Sequence, residues 1–401
     1  MPTALFLSLP MHGHVNPSLP LVQELVGRGH EVVYYSDDPF AAQVGQTGAR
    51  YRPYGARCLS DLGGVAARLD ELPWLLTRTA ASILATHLTA FREERPDYVI
   101  TDSLAPWGQW AGEILRVPVV TSVSTFAFNR HVLSAGVAQG VRPKSVRRLL
   151  VKFRSMSRAF LLGRQLRRLY GARGPGLLGT VLGRSDLNIV YTSRSFQPCA
   201  DSFDGRFHFA GPLGTARSES GSFPWDQVRH PTVVYVSLGT LFNTEAAFYR
   251  DCFEAFAGQA CQVILSTGSE VSTSSLGDVP PNFIVQAHVP QLEILRRASA
   301  FVTHGGMNSV SESLYHGVPM VVIPHAGEQA IVGRRVEALG AGVYLEKEHA
   351  SPERLREAVR AVTQDQSFRD RAAAIRRSFL ETAGASGAAD AILAYTGRAQ
   401  A

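Results

Sequence analysis

The sequence of 401 residues is poor in cysteine and has no long apolar run. Its four cysteines (Cys58, Cys199, Cys252, Cys261) are far apart, so they fit neither a disulfide framework nor a zinc site, and we expect a reduced, cytoplasmic protein. No apolar run reaches the roughly 18–20 residues of a membrane-spanning helix, and the first residues lack the charged segment of a signal peptide. There is no P-loop, which argues against an ATPase, and no Asp-x-Asp sequence, which argues against a metal-bridged diphosphate; we expect neither metal nor cofactor.

Positive charge is concentrated in one stretch of the chain. The net charge is +6, but residues 141–174 carry eleven basic residues and no acidic one, so the rest of the chain is net negative and we expect no nucleic-acid partner. Leu and Phe alternate with Arg in this stretch, which predicts one or two amphipathic helices. Such helices favour peripheral contact with an anionic membrane or an acidic partner; a solvated face beside a ligand cleft is the alternative.

Hydrophobic residues make up 45% of the chain and charged residues 18%, so it can bury sizeable cores, and its length suggests two or three domains. Short apolar runs alternate with longer amphipathic stretches, twice over. This pattern predicts an α/β fold of two facing, doubly wound, Rossmann-like domains with a cleft between them. The predicted strands are 4–9, 31–35, 97–101, 117–122 and 187–192, then 232–238, 262–267, 283–286, 300–303 and 320–324.

A polar segment rich in Gly and Ser, residues 213–230, predicts the linker between the two domains. The domains are then residues 1–212 and 231–385. Two further helices are expected near 351–363 and 367–383, and a last helix, 386–401, is expected to pack back on the first domain.

Two histidines follow the first predicted strand. His12 and His14 lie at a strand-to-helix corner, where Asn16 and Pro17 suit the start of the next helix. An imidazole with a pKa near about 6.5 can take a proton from a hydroxyl group. Asp102, at the end of another predicted strand, would hold that imidazole in its active tautomer. The alternatives are histidines that bond the turn backbone and an aspartate that caps a helix.

Aromatic residues of the first domain predict an apolar acceptor pocket. Phe126 and Phe128 follow a strand, and together with Trp74 they form the predicted lining, to which Trp107 and Trp110 also contribute. Ordinary core aromatics are the alternative for each of these residues.

The most informative segment is 300–329. Its strand leads into His304 and Gly306, and a helix begins near Asn308 and Ser309, where backbone N–H groups favour a phosphate. Glu312, one turn into that helix, can accept hydrogen bonds from two ribose hydroxyls.

Two more groups extend this predicted donor site. Glu328 and Gln329 supply acceptors and donors suited to sugar hydroxyls. Ser237, Gly239 and Thr240 end the first strand of the second domain, where a diphosphate can come close.

Four segments resemble the macrolide-glycosyltransferase subfamily of the family 1, GT-B-fold glycosyltransferases. They are HGHVNPSLPLVQELVGRGHEV (12–32), VYVSLGT (234–240), VPQLEIL (289–295) and THGGMNSVSESLYHGVPMVVIPHAGEQ (303–329). The resemblance implies an inverting transferase that moves a hexose, usually glucose, from a UDP-sugar to a hydroxyl or amide of a hydrophobic natural product such as a macrolide or other polyketide. Antibiotic biosynthesis or resistance is the implied setting.

The resemblance also implies roles for individual residues. His14 matches the general base and Asp102 its supporting acid. The matches on the donor side are diphosphate contacts at His304, Asn308 and Ser309, a ribose ligand at Glu312, sugar contacts at Glu328 and Gln329, and positions near the uridine at Val289 and Gln291. The family usually places Trp where this chain has His288, so the preference for uracil over thymine is open.

Two other functions fit the same fold. One is a non-catalytic auxiliary protein that binds a nucleotide sugar, and the other is a UDP-sugar epimerase. An epimerase would need carboxylates around the sugar and no large apolar acceptor pocket.

Overall fold

Two parallel β-sheets organise the chain in the computed structural model, which describes residues 1–59, 68, 70–138, 146–176, 179, 182, 185–216, 223–239, 246–325 and 327–400. The chain divides into a first unit, Met1–Gly214 with Thr382–Ala401, and a second unit, Thr215–Glu381. The predicted α/β class with two doubly wound parallel sheets is confirmed.

The strands are β1 Thr3–Leu7, β2 Glu31–Ser36, β3 Arg50–Pro53, β4 Tyr98–Asp102, β5 Val119–Val123, β6 Leu187–Val190, β7 Phe207–Phe209, β8 Val233–Ser237, β9 Gln262–Ser266, β10 Phe283–Gln286, β11 Ala300–Thr303, β12 Met320–Val322 and β13 Gly342–Tyr344. The α-helices of the described residues are α1 His12–Gly27, α2 Ala41–Gln46, α3 Ala56–Leu59, α4 Leu72–Glu93, α5 Pro106–Leu115, α6 Arg130–Ala138, α7 Val146–Tyr170, α8 Ala246–Phe256, α9 Gln291–Leu295, α10 Met307–Tyr315, α11 Gly327–Ala338, α12 Pro352–Gln364, α13 Gln366–Leu380 and α14 Gly384–Gln400. Short 3₁₀ helices lie at Asp38–Phe40, Ala200–Ser202, Gly214–Ala216, Trp225–Gln227, Thr273–Leu276 and Lys347–His349.

The first sheet has seven strands in the order β3-β2-β1-β4-β5-β6-β7. Its central strands are buried on both faces because helices cover them, which explains their continuous runs of Val, Ile, Leu and Tyr. The strand order reverses between β1 and β4, which pair in parallel. Ligands of open α/β sheets bind beyond the carboxyl ends of the strands at such a point.

The second sheet has six strands in the order β10-β9-β8-β11-β12-β13. Here the order reverses between β8 and β11, whose residues 234–237 and 300–303 pair in register. Each unit therefore has one position at which its topology favours a ligand.

The last helix, α14, belongs to the first unit. Ala388, Ala389 and Ile392 are buried in the same cluster as the apolar residues of α1. At the edge of this contact Arg28 donates to Asp390 at 2.5 Å and to the hydroxyl of Ser386 at 2.7 Å. The end of the chain thus stabilises the helix that follows β1.

The segment predicted as a linker has defined structure where it is described. Gly214–Ala216 and Trp225–Gln227 form 3₁₀ turns. The guanidinium group of Arg297 lies 3.8 Å from the centre of the Trp225 ring, so residues 225–227 pack within the second unit, to which they belong. Among the helices of the described residues, none is both long enough and apolar enough to cross a membrane.

Candidate active site

Three neighbouring strands of the first sheet bring polar side chains to one edge. α1 begins at His12, five residues after β1 ends, Asp102 ends β4, and Ser124 follows β5 directly. Because β1 pairs with β4 and β4 with β5, the carboxyl ends of these strands are adjacent. The polar side chains therefore collect at the reversal point of the first sheet.

The structure brings His14 and Asp102 together. The distance between His14 Nδ1 and Asp102 Oδ2 is 2.9 Å, and the exposed fractions of the two side chains are 11% and 2%. The other carboxylate oxygen of Asp102 accepts a hydrogen bond from the backbone N–H of Leu104 at 2.8 Å. Both oxygens are therefore held, and the carboxylate cannot rotate away from the imidazole without losing a bond.

The carboxylate selects one tautomer of His14. An acceptor at Nδ1 places the ring proton on that nitrogen, which leaves Nε2 as the basic nitrogen of the neutral ring. A buried carboxylate also stabilises the imidazolium ion that forms when Nε2 takes a proton. The pair is thus arranged for general-base chemistry.

Ser124 is a neighbour of His14 that the sequence analysis did not identify. Its hydroxyl oxygen lies 2.9 Å from His14 Nδ1, and the residue is 2% exposed. Since the N–H group at Nδ1 donates to Asp102, the serine oxygen is a second acceptor for the same N–H group. Ser124 therefore restrains the plane of the ring, and its position directly after a strand was the available signal.

The first helix begins earlier than the sequence predicted. The carbonyl of Met11 accepts hydrogen bonds from His14 and Val15, both at 2.9 Å, so winding is established before the chain reaches Pro17. His12 packs edge-on against Phe40, with ring centroids 4.9 Å apart, and burial lowers its pKa. His12 is therefore a packing residue, and His14 alone of the two faces Asp102.

The predicted acceptor-pocket aromatics lie in different surroundings. Phe126 is 1% exposed and packs on Phe196 at 5.3 Å between ring centroids, so it has the core position that was the alternative. Phe128 is partly buried beside Val123 and Val190. The ring of Trp74 lies 4.0 Å below the guanidinium group of Arg158, on the side where α4 meets α7.

The two other tryptophans are also core residues. Trp107 is fully buried, and its indole N–H donates to the hydroxyl of Tyr54 at 2.9 Å. Trp110 is 3% exposed in the same apolar cluster. Trp74 and Phe128 therefore remain the more accessible members of the predicted pocket.

Glycines surround His304 at the reversal point of the second sheet. A Cβ atom added to Gly239 would lie 2.5 Å from the imidazole, and one added to Gly306 would lie 2.4 Å from Nε2. Gly305 has a φ of +85° and no room for a side chain, because its Cβ would meet Val322 at 2.6 Å. Glycine is therefore required at all three positions. At Gly239 and Gly306 its lack of a side chain lets the backbone approach the imidazole of His304 closely.

His304 is a neutral group in this environment. Its Nδ1 atom is buried, although part of the residue keeps contact with solvent. Removal from water, and then the proximity of His325, lowers the pKa of His304 to about 4. At neutral pH the ring offers an N–H dipole to an anion rather than a full positive charge.

The N-terminus of α10 follows this glycine corner. Its N-cap is Gly306, which has no side chain to bond the N–H groups of the first turn. Asn308 and Ser309 lie in that turn, so their side chains flank backbone donors and the positive end of the helix dipole. This arrangement suits a phosphate group.

Glu312 is held by a partner from another segment. The residue is 4% exposed, and its Oε2 accepts a hydrogen bond from the side-chain amide of Gln291 at 2.5 Å. Gln291 in turn accepts from the hydroxyl of Tyr235 at 3.0 Å. The chain Tyr235–Gln291–Glu312 fixes the direction of the carboxylate, a role the sequence did not reveal for Tyr235.

The remaining predicted donor residues are spread around the same edge. Ser237 is buried, and its hydroxyl accepts from the backbone N–H of Gly239 at 3.3 Å, which shapes the turn. His288 is exposed and Val289 partly so, in the loop between β10 and α9. Thr240 lies outside the described residues.

Two predicted sugar contacts lie in the first turn of α11. Glu328 is exposed, whereas Gln329 is buried. The carbonyl oxygen of the Gln329 side chain accepts from the backbone N–H of His325 at 2.8 Å, so it stabilises the turn before the helix. Its amide nitrogen is the atom with the chemistry to donate to a hydroxyl.

Among the described residues, no group of three or more His, Cys, Asp or Glu side chains is placed to hold a metal ion. The polar side chains instead form pairs: the imidazole of His14 with the carboxylate of Asp102 in the first unit, and the amide of Gln291 with the carboxylate of Glu312 in the second.

Comparison with known proteins places this arrangement in a family. Residues 255–387 match the family model described as "Erythromycin biosynthesis protein CIII-like, C-terminal domain". The chain is 36% identical over 399 residues to the uncharacterized UDP-glucosyltransferase YojK of Bacillus subtilis (strain 168), a match that covers 98% of this chain and 97% of the relative. It is 30% identical to demethyllactenocin mycarosyltransferase of Streptomyces fradiae, covering 96% of this chain and 85% of that one.

A solved structure agrees with the sequence relatives. The crystal structure of the kitacinnamycin glycosyltransferase has a TM-score of 0.82 and 30% identity to this protein, and the match covers 98% of this chain and 99% of that one. The chain therefore belongs to the macrolide-glycosyltransferase subfamily of the family 1 glycosyltransferases, and it is a glycosyltransferase with the GT-B fold.

Proposed function

We propose that this glycosyltransferase moves glucose from UDP-glucose to a hydroxyl group (or an amide) of a hydrophobic natural product, such as a macrolide or other polyketide, with inversion at the anomeric carbon. The observation that carries the proposal is the contact of 2.9 Å between His14 and the buried Asp102. An imidazole oriented by a carboxylate at a ligand-binding edge is suited to remove a proton from an attacking hydroxyl.

The proposed step is a single displacement. The acceptor oxygen forms a bond to the anomeric carbon as its proton passes to His14 Nε2. The bond between that carbon and the diphosphate oxygen breaks, and UDP leaves with the electron pair. Asp102 stabilises the imidazolium ion, which later releases its proton to solvent.

The second unit would hold the donor and support departure of UDP without a metal ion. The N-terminus of α10 and the N–H of His304 present fixed dipoles to the diphosphate, and such dipoles act on charge that grows in the transition state. Glu312, oriented by Gln291, would accept from the ribose hydroxyls, and Glu328 and Gln329 would contact the sugar.

Uracil is the proposed base and glucose the proposed sugar, although relatives differ in the sugar they are named for. YojK is named as a glucosyltransferase and the Streptomyces relative as a mycarosyltransferase. A carboxylate at Glu328 beside the amide of Gln329 favours a sugar that keeps all its hydroxyls. His288 offers a smaller stacking surface than tryptophan, so thymidine diphosphate sugars belong in the test. A cytoplasmic location is part of the proposal, supported by four cysteines that are free thiols.

Mass spectrometry separates this function from its two rivals. The full chain is incubated with UDP-glucose, or with a thymidine diphosphate sugar, and a panel of macrolide and phenolic acceptors. A mass gain of one hexose on an acceptor, with release of UDP, is the expected result. Conversion of UDP-glucose into an isomer without an acceptor would identify an epimerase, and binding without any turnover would identify an auxiliary protein.

A further inference from the structure

The basic helix α7, Val146–Tyr170, has a large apolar surface that faces solvent. Five side chains form this surface, which we call the α7 apolar stripe: Leu149, Leu150, Phe153, Phe160 and Leu161. Their exposed fractions are 54%, 65%, 70%, 51% and 64%. Large apolar side chains clustered on a surface in this way mark an interaction site more often than scattered single ones.

The orientation of the helix is fixed by its opposite face. Ser155, Ala159 and Leu166 are buried, and the hydroxyl of Ser155 accepts a hydrogen bond from the backbone N–H of Trp74 on α4 at 3.1 Å. Arg158 lies 4.0 Å from the centre of the Trp74 ring. With about 100° between successive residues of a helix, these buried residues lie opposite the α7 apolar stripe.

The stripe lies on one side of the helix. Leu149, Phe153 and Phe160 lie within about 40° of one another around the axis, and Leu150 and Leu161 widen the arc to about 120°. A fully solvated helix would place few large apolar side chains on its outer face. Two phenylalanines and three leucines lie on that face, and Ser157, Arg164 and Arg168 share the arc with them.

Positive charge lies both within and beside the stripe. The helix holds eight Lys and Arg residues and no acidic residue. Arg148 is 3.6 Å from Asp70, but within the part of the chain that the structure describes, Arg154 and Arg168 have no carboxylate within ion-pair distance. Two copies of this face would repel each other, because each would bring the same excess of cations to the contact.

We propose that the α7 apolar stripe and its bordering cations bind the surface of an anionic lipid bilayer, with the helix lying in the plane of the interface. The Leu and Phe side chains enter the boundary between headgroups and acyl chains, and Arg154 and Arg168 contact lipid phosphates. This binding goes beyond the proposed function, and it would hold the enzyme where apolar acceptors concentrate.

Co-sedimentation of the full chain with vesicles tests the proposal. We expect binding to vesicles of phosphatidylcholine with a quarter phosphatidylglycerol, little binding to phosphatidylcholine alone, and loss of binding in about 1 M NaCl, where the Debye length falls to about 3 Å. The double variant Arg154→Glu/Arg168→Glu should weaken the partition coefficient by roughly 25-fold or more, since each basic residue near an anionic surface contributes about fivefold.

Matched variants elsewhere on the chain control for charge and surface hydrophobicity. Arg354→Glu/Arg360→Glu makes the same change of charge on α12 and should leave vesicle binding unchanged. Leu150→Ser/Phe153→Ser should weaken binding at least about tenfold by removing inserted apolar area, whereas Val279→Ser/Leu380→Ser, at residues that are 43% and 50% exposed, should not. Circular dichroism checks that each variant is folded.

Three results would overturn the proposal. They are equal binding to neutral and anionic vesicles, equal loss in the control variants, and no vesicle binding at all. A rise in the KM for a water-soluble acceptor in the α7 variants, without a change in vesicle binding, would assign the stripe to acceptor recognition instead. Transfer to a soluble acceptor is measured without vesicles, so failure of the membrane proposal leaves the transferase proposal standing.

Discussion

Replacement of Asp102 by Asn tests how the carboxylate acts on His14. The backbone N–H of Leu104 donates to Oδ1 at 2.8 Å, and in the variant it would keep the amide oxygen at that position. The amide NH₂ group must then face His14 Nδ1, where Oδ2 lies now at 2.9 Å. Two N–H donors cannot meet at that distance, so the ring proton moves to Nε2 and the basic nitrogen is lost.

The size of the effect follows from this geometry. To recover the active tautomer, the variant must leave a buried donor without an acceptor, which costs about 1–3 kcal/mol. It also loses the charged hydrogen bond that stabilises the imidazolium ion, about 1.5–3 kcal/mol. The sum of roughly 2.5–6 kcal/mol predicts that kcat/KM for transfer falls by about 10²–10⁴-fold. Asp102 is 2% exposed, so solvent screens little of this loss.

Steady-state transfer rates against pH measure the prediction. In the Asp102→Asn variant, kcat/KM should keep rising toward alkaline pH, because ionisation of the acceptor itself replaces the base. Ser124→Ala is the matched control: it removes the other neighbour of Nδ1 but keeps the tautomer, and we expect a loss below about tenfold with an unchanged pH profile. Activity of the Asn variant within tenfold of the native enzyme, with the native pH profile, would refute the assignment.

Three further predictions concern the second unit and are read by calorimetric titration with UDP. Gly306→Ala should weaken UDP binding at least about tenfold, because the new Cβ would lie 2.4 Å from the ring of His304 while the backbone φ of −62° suits alanine; unchanged affinity would contradict the glycine corner as the diphosphate site. The pKa of His304 is lowered to about 4 by burial and His325, and a bound diphosphate would raise it. A group whose pKa is raised on binding makes binding tighter at low pH, so the affinity for UDP should increase, with uptake of a proton, as the pH falls below neutral toward about 4. The His304→Gln variant should lose this pH dependence, and its persistence in that variant would exclude His304. Tyr235→Phe removes the hydrogen bond that holds Gln291 and should weaken UDP binding about three- to tenfold. The control variant Tyr249→Phe also loses a buried hydroxyl bond, but it should leave UDP binding unchanged. Equal losses in the two variants would indicate a general effect on folding.

The central strands could be predicted from the sequence because they are buried on both faces. The central strand β11 begins and ends where its apolar run predicts, at 300–303, and the central strand β9 begins at 262 as predicted. The edge strand β10 also matches its predicted bounds, 283–286, because its run of Phe, Ile and Val is apolar. The strands that the sequence analysis missed, β3, β7 and β13, all lie at sheet edges. Each has three or four residues, with Arg, His or Gly among them, so no apolar run marks them.

The site was predictable where it follows from topology. His14 lies in the first turn of the helix that follows β1, and Asp102 ends the neighbouring parallel strand β4, so their proximity follows from the strand order. The bond between Gln291 and Glu312 depends instead on how α9 packs beside α10, and no periodic pattern encodes that. The sequence placed the start of α1 too late, at Asn16 and Pro17. In the structure the first helical hydrogen bonds already go to the carbonyl of Met11.

The most direct test of the account is the turnover of His14→Ala at saturating UDP-sugar, measured together with its affinity for UDP. The account predicts that transfer falls by at least about 10²–10⁴-fold while the dissociation constant for UDP stays nearly unchanged, since the donor residues lie in the second unit. Turnover equal to that of the native enzyme would contradict the role of His14 as the base, and with it the proposed mechanism.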